Sequence, residues 1–234
     1  MAIFTLSDPH LSIGCEKPMD IFGQHWLDHT ERLKANWQAI VSPEDTVVIG
    51  GDISWAMQLI EALPDLIFLN SLPGRKILMR GNHDYWWTSI RKLEHLTNAH
   101  HLDTISFLRN NAYRVENSVI CGTRGWLLPD DPEFSSSDHK IFDRECGRLQ
   151  LTLKAAKQVK EPGDRLIVIL HYPPIGRNRA PNSLTAQLSE HVVDLCVYGH
   201  VHGEAAKYCL QGMYETVDYK LASADYLGFK PLRL

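Results

Sequence analysis

One repeated pattern constrains the fold more than any other feature of the sequence: a short apolar run followed at once by polar side chains. The apolar runs lie at residues 2–6, 46–49, 77–79, 166–170 and 193–198. The polar motifs after them are Asp8-Pro9-His10, Gly51-Asp52, Gly81-Asn82-His83-Asp84, His171 and Gly199-His200-Val201-His202. Short apolar, β-branched runs that end near glycine predict buried strands. Each predicted strand therefore delivers a carboxylate, an imidazole or an amide at its end.

The first three predicted strands belong to one unit. Helical patterns at 25–40 and 57–72 separate them, the second with Pro64 and Asp65 as a break or a new helix start, so they predict a βαβαβ arrangement with right-handed crossovers. Ligands of such sheets collect at the carboxyl ends of the strands. We therefore expect a polar cluster at that edge, formed by Asp8, His10, Asp52, Asn82 and His83.

The rest of the chain predicts a second sheet. Short strands are expected at 104–108, 112–115 and 118–122, with antiparallel hairpins between them, and returning strands at 213–221 close the sheet. Helices are expected at 86–96, at 140–159 with Asp138 as the cap, and near 184–189. No linker or repeat interrupts the chain, so we expect one domain over residues 1–234.

Composition excludes some classes of protein. Of 234 residues, 44% are hydrophobic, which supports a sizeable core, and the net charge of -4 disfavours broad binding to nucleic acid or anionic membranes. No apolar stretch reaches the length of a membrane span, and residues 2–6 are interpreted as a strand and not a signal peptide. The five cysteines form no Cys-x-x-Cys pair, which fits a reducing, cytoplasmic location.

In this order the motifs resemble those of the calcineurin-like metallophosphoesterase superfamily, from residue 4 to about residue 203. Pro9 stands where that family often has leucine or isoleucine. The segments Lys17-Pro18-Met19, Ser54-Trp55 and Tyr85-Trp86-Trp87 resemble a bacterial branch of the family. The resemblance implies an α/β (α+β) fold, a four-layer αββα sandwich of two mixed sheets flanked by helices. It also implies a dimetal site at the C-terminal edge of the strands.

The resemblance also implies which side chains hold the metals. The first ion would be bound by Asp8, His10 and His202, the second by Asn82, His171 and His200, and Asp52 would bridge them. Carboxylate, imidazole and amide ligands without thiolate fit Mn, Fe or Zn, and also Co or Ni. Two carboxylates against two dications leave the site positive, which attracts a phosphate.

The implied reaction is hydrolysis of a phosphomonoester or phosphodiester, and the sequence does not separate the two. A metal-activated hydroxide would attack phosphorus in line. His83 would be the general acid for the leaving oxygen, Asp84 would orient it, and Arg80 would stabilise phosphoryl oxygens. The expected substrate is a small phosphorylated molecule.

Substrate contacts are expected from the loops around the site, namely from Trp55, Tyr85, Arg124, Trp126 and Arg177. The loops 11–24 and 129–138 have no assigned role, and the oligomeric state is open. Two alternatives remain: a non-catalytic metal-binding interaction module on the same fold, and a nuclease acting on small oligonucleotides. His25 and His29, four residues apart, are interpreted as surface or packing residues because no acidic partner completes a zinc site.

Overall fold

The computed structural model describes residues 1–234, which divide into two compact units. Unit 1 comprises residues 1–107 and 223–234, and unit 2 comprises residues 108–222. One mixed β-sheet is centred in each unit, and each unit has its own hydrophobic core. Two mixed sheets with helices packed on them confirm the predicted α/β fold class.

The secondary structure follows the predicted order, with short strands and five α-helices. The strands are β1 Ile3–Leu6, β2 Thr46–Ile49, β3 Arg75–Met79, β4 Ile105–Leu108, β5 Ala112–Val115, β6 Ser118–Thr123, β7 Arg165–Leu170, β8 Leu195–Tyr198, β9 Gly212–Tyr214, β10 Val217–Leu221 and β11 Leu232–Arg233. The helices are α1 His29–Ile40, α2 Leu63–Ser71, α3 Ile90–Ala99, α4 His139–Val159 and α5 Ser183–Glu190.

The sheet of unit 1 has the strand order β11-β1-β2-β3-β4. Strands β1, β2 and β3 are parallel neighbours, and their ends are in register: Leu6 pairs with Ile49, and Ile49 pairs with Leu78, the residue before the last of β3. The three carboxyl ends therefore meet at one edge, as the sequence predicted. Strand β11 pairs antiparallel with β1 and was not predicted, because two residues carry no periodic pattern.

Helices α1 and α3 start later than the sequence predicted, and α2 starts beside Pro64, where a break or a new helix start was expected. The segment expected as a helix from residue 57 turns first, with the Glu61 carboxylate accepting from the backbone of Met57 and Gln58, and α2 begins at Leu63. Pro64 fits there because a proline in the first turn costs no hydrogen bond. Helix α3 starts at Ile90 and not at residue 86, and α1 starts at His29, after a short 3-10 turn at Gln24–Trp26.

The sheet of unit 2 has the strand order β5-β6-β7-β8-β10-β9. Its central strands are parallel, and the antiparallel β5–β6 hairpin and the β9–β10 return at its edges confirm that part of the prediction. The expected hairpin between 104–108 and 112–115 is wrong, because β4 pairs with β3 in the sheet of unit 1. Helix α4 packs against β5 and β6, where the Thr152 hydroxyl accepts from the backbone of Gly122. Asp138 stands at the predicted N-cap, but its side chain bonds no helix N–H and instead accepts from Trp126 and Ser135. No helix of the chain is both long enough and apolar enough to cross a membrane.

Lys76, the second residue of β3, is fully buried. Its Nζ donates to the carbonyls of Leu72 and Gly74, at 2.7 Å each, just after the end of α2. Helix C-termini leave carbonyls without partners and favour a nearby cation. Burial nevertheless lowers the pKa of Lys76 to about 8, because charge is costly away from water.

This pKa gives a pH dependence that can be measured. Between about pH 8 and 10.5 the unfolded chain keeps a proton on Lys76 that the folded chain gives up, so stability rises with pH across that window. We expect the free energy of unfolding of the wild type, relative to Lys76→Met, to increase by up to about 3 kcal/mol between about pH 8 and pH 10.5. Urea unfolding at several pH values measures it. A difference that falls with pH would contradict the assignment.

Candidate metal centre and its surroundings

The first group of predicted ligands lies at the strand tips of unit 1. Asp8, His10 and Asp52 are all buried. The backbone N–H groups of Asp8 and His10 donate to the carbonyls of Gly51 and Asp52, at 2.9 and 3.0 Å, so the loops after β1 and β2 are joined. The His10 Nε2 lies 3.8 Å from the Asp52 Oδ2. The predicted cluster therefore forms within this unit.

The backbone at these ligands is held in a conformation that side chains rarely adopt. Asp8, His10 and Asp52 have φ values of 59°, 46° and 50°, and His200 in unit 2 has 70°. Left-handed backbone at residues other than glycine costs about 1–3 kcal/mol each and persists only where the surroundings enforce it. Such outliers cluster at functional sites, and four of the twelve non-glycine residues with positive φ in this chain are predicted ligands.

The missing side chain of Gly81 leaves the space that Asp52 occupies. A Cβ on Gly81 would lie 2.1 Å from the Asp52 Oδ1 and 2.2 Å from the Asp52 backbone nitrogen. The Asp52 Oδ1 accepts from the backbone N–H of His83 at 2.8 Å. Only glycine fits at residue 81, because the tip of β2 passes directly over the turn after β3. The half-buried Asn82 lies in that same turn.

Asp84 holds the backbone around the turn after β3. Its buried carboxylate accepts from the backbone N–H groups of Ile53, Ser54 and Gly81, at 2.8, 3.2 and 2.7 Å, and from the Trp86 indole at 3.0 Å. That Asp84 orients the His83 imidazole stays a prediction. Burial, with the nearby Asp52 carboxylate as a second cause, raises the pKa of Asp84 to about 6.

An aromatic wall borders His83. The Trp55 ring stacks on His10 with centroids 4.8 Å apart and lies 4.6 Å from the His83 ring. The Lys17 ammonium sits 4.5 Å above the Trp55 ring, and the Trp55 indole donates to the Met19 sulfur at 3.0 Å. Loop 11–24 therefore packs against Trp55, a contact that no pattern in the sequence indicated.

The two remaining predicted residues of unit 1 differ in exposure. Tyr85 is exposed, and its ring lies 6.2 Å from the His83 ring. Arg80 is half-buried, and its Nε is buried without a hydrogen-bond partner. Both follow β3, next to the turn that carries the predicted acid.

The second group of predicted ligands lies at the strand tips of unit 2. His171 is buried directly after β7, and its ring lies 5.2 Å from the ring of His200, which follows β8. The Gly199 N–H donates to the His171 carbonyl at 3.0 Å, which joins the two tips. The Tyr172 ring lies 4.0 Å from His200, and His202 is half-buried two residues further on.

The predicted arginines of unit 2 each lie on an aromatic ring. The Arg124 guanidinium lies 4.3 Å above Trp126 and 3.7 Å from the buried Glu145 carboxylate. Arg177 is exposed and lies 4.8 Å above the Tyr208 ring. Sequence reasoning missed Glu145, although a glutamate facing the core of an amphipathic helix could have indicated a buried ion pair.

The donors present in the two units fit divalent transition metals. Unit 1 offers two carboxylates, an imidazole and an amide, and unit 2 offers three imidazoles. Such mixed oxygen and nitrogen donors suit Mn, Fe and Zn, and none of the five free cysteines belongs to the set. The buried carboxylates of Asp8 and Asp52 are also costly unless a positive charge compensates them.

Comparison with known proteins agrees with this arrangement. The family model described as calcineurin-like phosphoesterase matches residues 1–204, and the chain belongs to that family. No curated protein matches the chain significantly. The comparisons therefore identify the family of the chain but not its substrate.

Solved structures with the same fold span nearly the whole chain. Phosphopantetheinyl hydrolase (PptH) from Mycobacterium tuberculosis is similar with a TM-score of 0.58 and 12% identity, covering 100% of this chain and 95% of that one. The protein AQ665 of unknown function from Aquifex aeolicus has a TM-score of 0.50 and 15% identity, with coverage of 99% and 95%. TT1561 of Thermus thermophilus has a TM-score of 0.50 and 14% identity, with coverage of 86% and 81%. At these identities the likeness shows the fold alone.

A substitution at Gly81 tests whether the close contact between Asp52 and the turn after β3 positions the predicted ligands. We expect Gly81→Ala to displace Asp52, because the new methyl group would overlap the Asp52 backbone nitrogen. Bound metal per chain should then fall well below that of the wild type. Gly147→Ala is the matched control, because a Cβ there has nothing within 4 Å, and alanine in the middle of α4 should stabilise by about 0.5–1 kcal/mol. Equal metal content in both variants would show that the close approach does not matter.

Proposed function

We propose that the chain hydrolyses phosphate esters with two divalent metal ions. The observation that carries the proposal is that the carboxylates and imidazoles sort into two sets able to bind a metal. One set is Asp8, His10 and His202, and the other is Asp52, His171 and His200. Asn82 would complete the second set, and Asp52 would serve both ions. Membership of the calcineurin-like phosphoesterase family supports the same reaction class.

When bound, the two ions would supply Lewis acidity and lower the pKa of a shared water. The other roles in the proposed reaction belong to residues of the chain. The His83 backbone N–H donates to the Asp52 carboxylate, so one contact positions both the proposed ligand and the proposed acid. The His83 ring stands against Trp55 and would give its proton to the oxygen of the leaving alcohol. Arg80 has an Nε without a protein partner and would donate to a phosphoryl oxygen.

The identity of the substrate is a separate question from the reaction class. Both monoesters and diesters fit the proposed chemistry. The neighbour from M. tuberculosis is called a phosphopantetheinyl hydrolase, so a phosphopantetheinyl ester is one substrate to include in a panel. Five unpaired thiols, two of them buried in β6 and β8, support action in a reducing compartment such as the cytoplasm.

Metal content tests the ligand assignment without any activity assay. Chains purified without chelator should carry about two transition-metal ions, and Asp52→Asn should weaken both sites because it would touch both ions. His10→Ala should remove mainly one ion. Elemental analysis and calorimetric titration measure both variants. Equal partial losses in the two variants, or a fully loaded chain with a single ion, would contradict a bridging Asp52.

Leaving-group dependence tests His83. General acid catalysis contributes about 10²–10⁴-fold, so His83→Ala should lower hydrolysis of an alkyl phosphate by that order. Hydrolysis of p-nitrophenyl phosphate should fall less, because nitrophenolate leaves with little help from a proton. Asn98→Ala, a change on the exposed surface of α3, is the control and should leave both rates as they are.

The comparison of the two substrates separates catalysis from structure. Misfolding or metal loss would lower both rates alike, so metal content is measured on the same preparations. If both activities fall equally while the metals stay, His83 positions phosphate and another group supplies the proton.

A further inference from the structure

Unit 2 contains an open cavity that is lined by its own residues. The cavity has a volume of about 700 Å³, and its walls come from the segments 126–133, 172–178 and 198–209. This volume is within the range of small-molecule sites, about 300–1,000 Å³. His200 and His202 are part of its lining, so one end of the cavity lies at the proposed metal ligands. A molecule bound through its phosphate at these ligands would extend its other end into the cavity.

The charges of the cavity wall are mostly negative. Asp130, Asp131 and Glu133 line it, against a single arginine, Arg177. Asp130 and Glu133 are exposed, and Asp131 accepts from the Glu133 backbone at 2.9 Å, which fixes the turn they share. The Arg177 guanidinium already lies on the Tyr208 ring. This wall therefore attracts a cation and repels a second anionic group on the substrate.

The aromatic rings of the cavity favour the same charge. Trp126, Tyr172 and Tyr208 line it, and ring faces attract ammonium and guanidinium groups. Two of these rings already bind a cation of the protein, Arg124 on Trp126 and Arg177 on Tyr208. Trp126 lines the cavity and Arg124 does not. Aromatic faces together with carboxylates form a typical environment for an ammonium group.

We propose that this cavity selects phosphate esters whose alcohol carries an ammonium group, such as aminoalkyl or choline-type phosphates; this inference rests on the proposed function. The positive metal centre would take the phosphate, and the acidic and aromatic wall would take the ammonium group. A water oxygen forms the new bond to phosphorus and releases one proton to solvent, the bond from phosphorus to the alcohol oxygen breaks, and that oxygen receives a proton from His83, which solvent then restores. The products are phosphate, or a phosphomonoester from a diester, and the free amino alcohol.

Matched substrates test the charge preference. Choline phosphate is compared with 3,3-dimethylbutyl phosphate, in which carbon replaces the nitrogen at nearly equal size, and with phosphoglycolate, which adds a negative charge. Each is assayed as the monoester and as its methyl diester, so that either ester class is covered. We expect kcat/KM to fall about tenfold from the cationic to the neutral substrate, and again to the anionic one.

Charge-neutralising variants test the residues. In the triple variant Asp130→Asn, Asp131→Asn and Glu133→Gln, the ratio of the cationic to the neutral substrate should fall to about a third or less of the wild-type ratio. The matched control removes as many charges from exposed positions of unit 2 that do not line the cavity. It carries Asp143→Asn, Glu190→Gln and Glu215→Gln. This control should keep both the wild-type ratio and the wild-type rate.

The outcomes separate the inference from the function on which it rests. Metal-dependent hydrolysis of p-nitrophenyl phosphate or its bis-ester reports on the proposed function alone, and its absence overturns both. If that hydrolysis occurs but choline phosphate and its neutral isostere react equally, the inference fails and the proposed function stands. Preference for phosphoglycolate would also overturn the inference, and it would point to Arg177 as the anchor of an anionic substrate.

Discussion

The passage of the β2 tip over the turn after β3 is the contact on which the unit 1 half of the site depends. Gly81 leaves the space that the Asp52 backbone occupies, and the Asp52 carboxylate then receives the N–H of His83. The Asp84 carboxylate joins the same two segments, because it accepts from the backbone N–H groups of Gly81 and of Ile53 in the loop after β2. The proposed bridging ligand and the proposed acid are therefore set by the same few backbone contacts.

This arrangement stores unfavourable energy that the unit must offset elsewhere. Three ligand positions of unit 1 have left-handed backbone, and Asp52 and Asp84 bring two buried carboxylates close together. Apolar burial in the unit 1 core, which includes Trp37, Trp86 and Leu66, can compensate for it at roughly 25 cal/mol per Å². Bound cations would directly reduce the electrostatic cost of these buried carboxylates. A site that is costly without its metals is expected to gain stability when they bind.

The sequence predicted the strands and their polar ends well, because buried strands show apolar runs that stop abruptly. Strand β2 was predicted at its observed limits, and the carboxyl ends of β1 to β3 meet as expected. Features that depend on contacts between distant segments were missed. Nothing local to Asp84 shows that Ile53 and Ser54 would take its oxygens, nor does the loop sequence show that Lys17 lies on Trp55. Residues 57–62 were predicted as helical, but there the Glu61 carboxylate accepts from the backbone of Met57 and Gln58 before α2 begins.

Helix α4 and its N-cap anchor the segment 124–126 and the loop 129–138 of unit 2, parts of which line the cavity. Asp138 at its N-cap accepts from the Trp126 indole, and Glu145, seven residues later, binds the Arg124 guanidinium. Residues seven apart lie on the same face of a helix, so one face of α4 holds both ends of the segment 124–126. Because Asp138 also accepts from Ser135, it ties the loop 129–138 that carries the acidic wall to the same anchor. The part of unit 2 that would distinguish substrates is thereby fixed to a long helix, while its predicted ligands are fixed to strand ends.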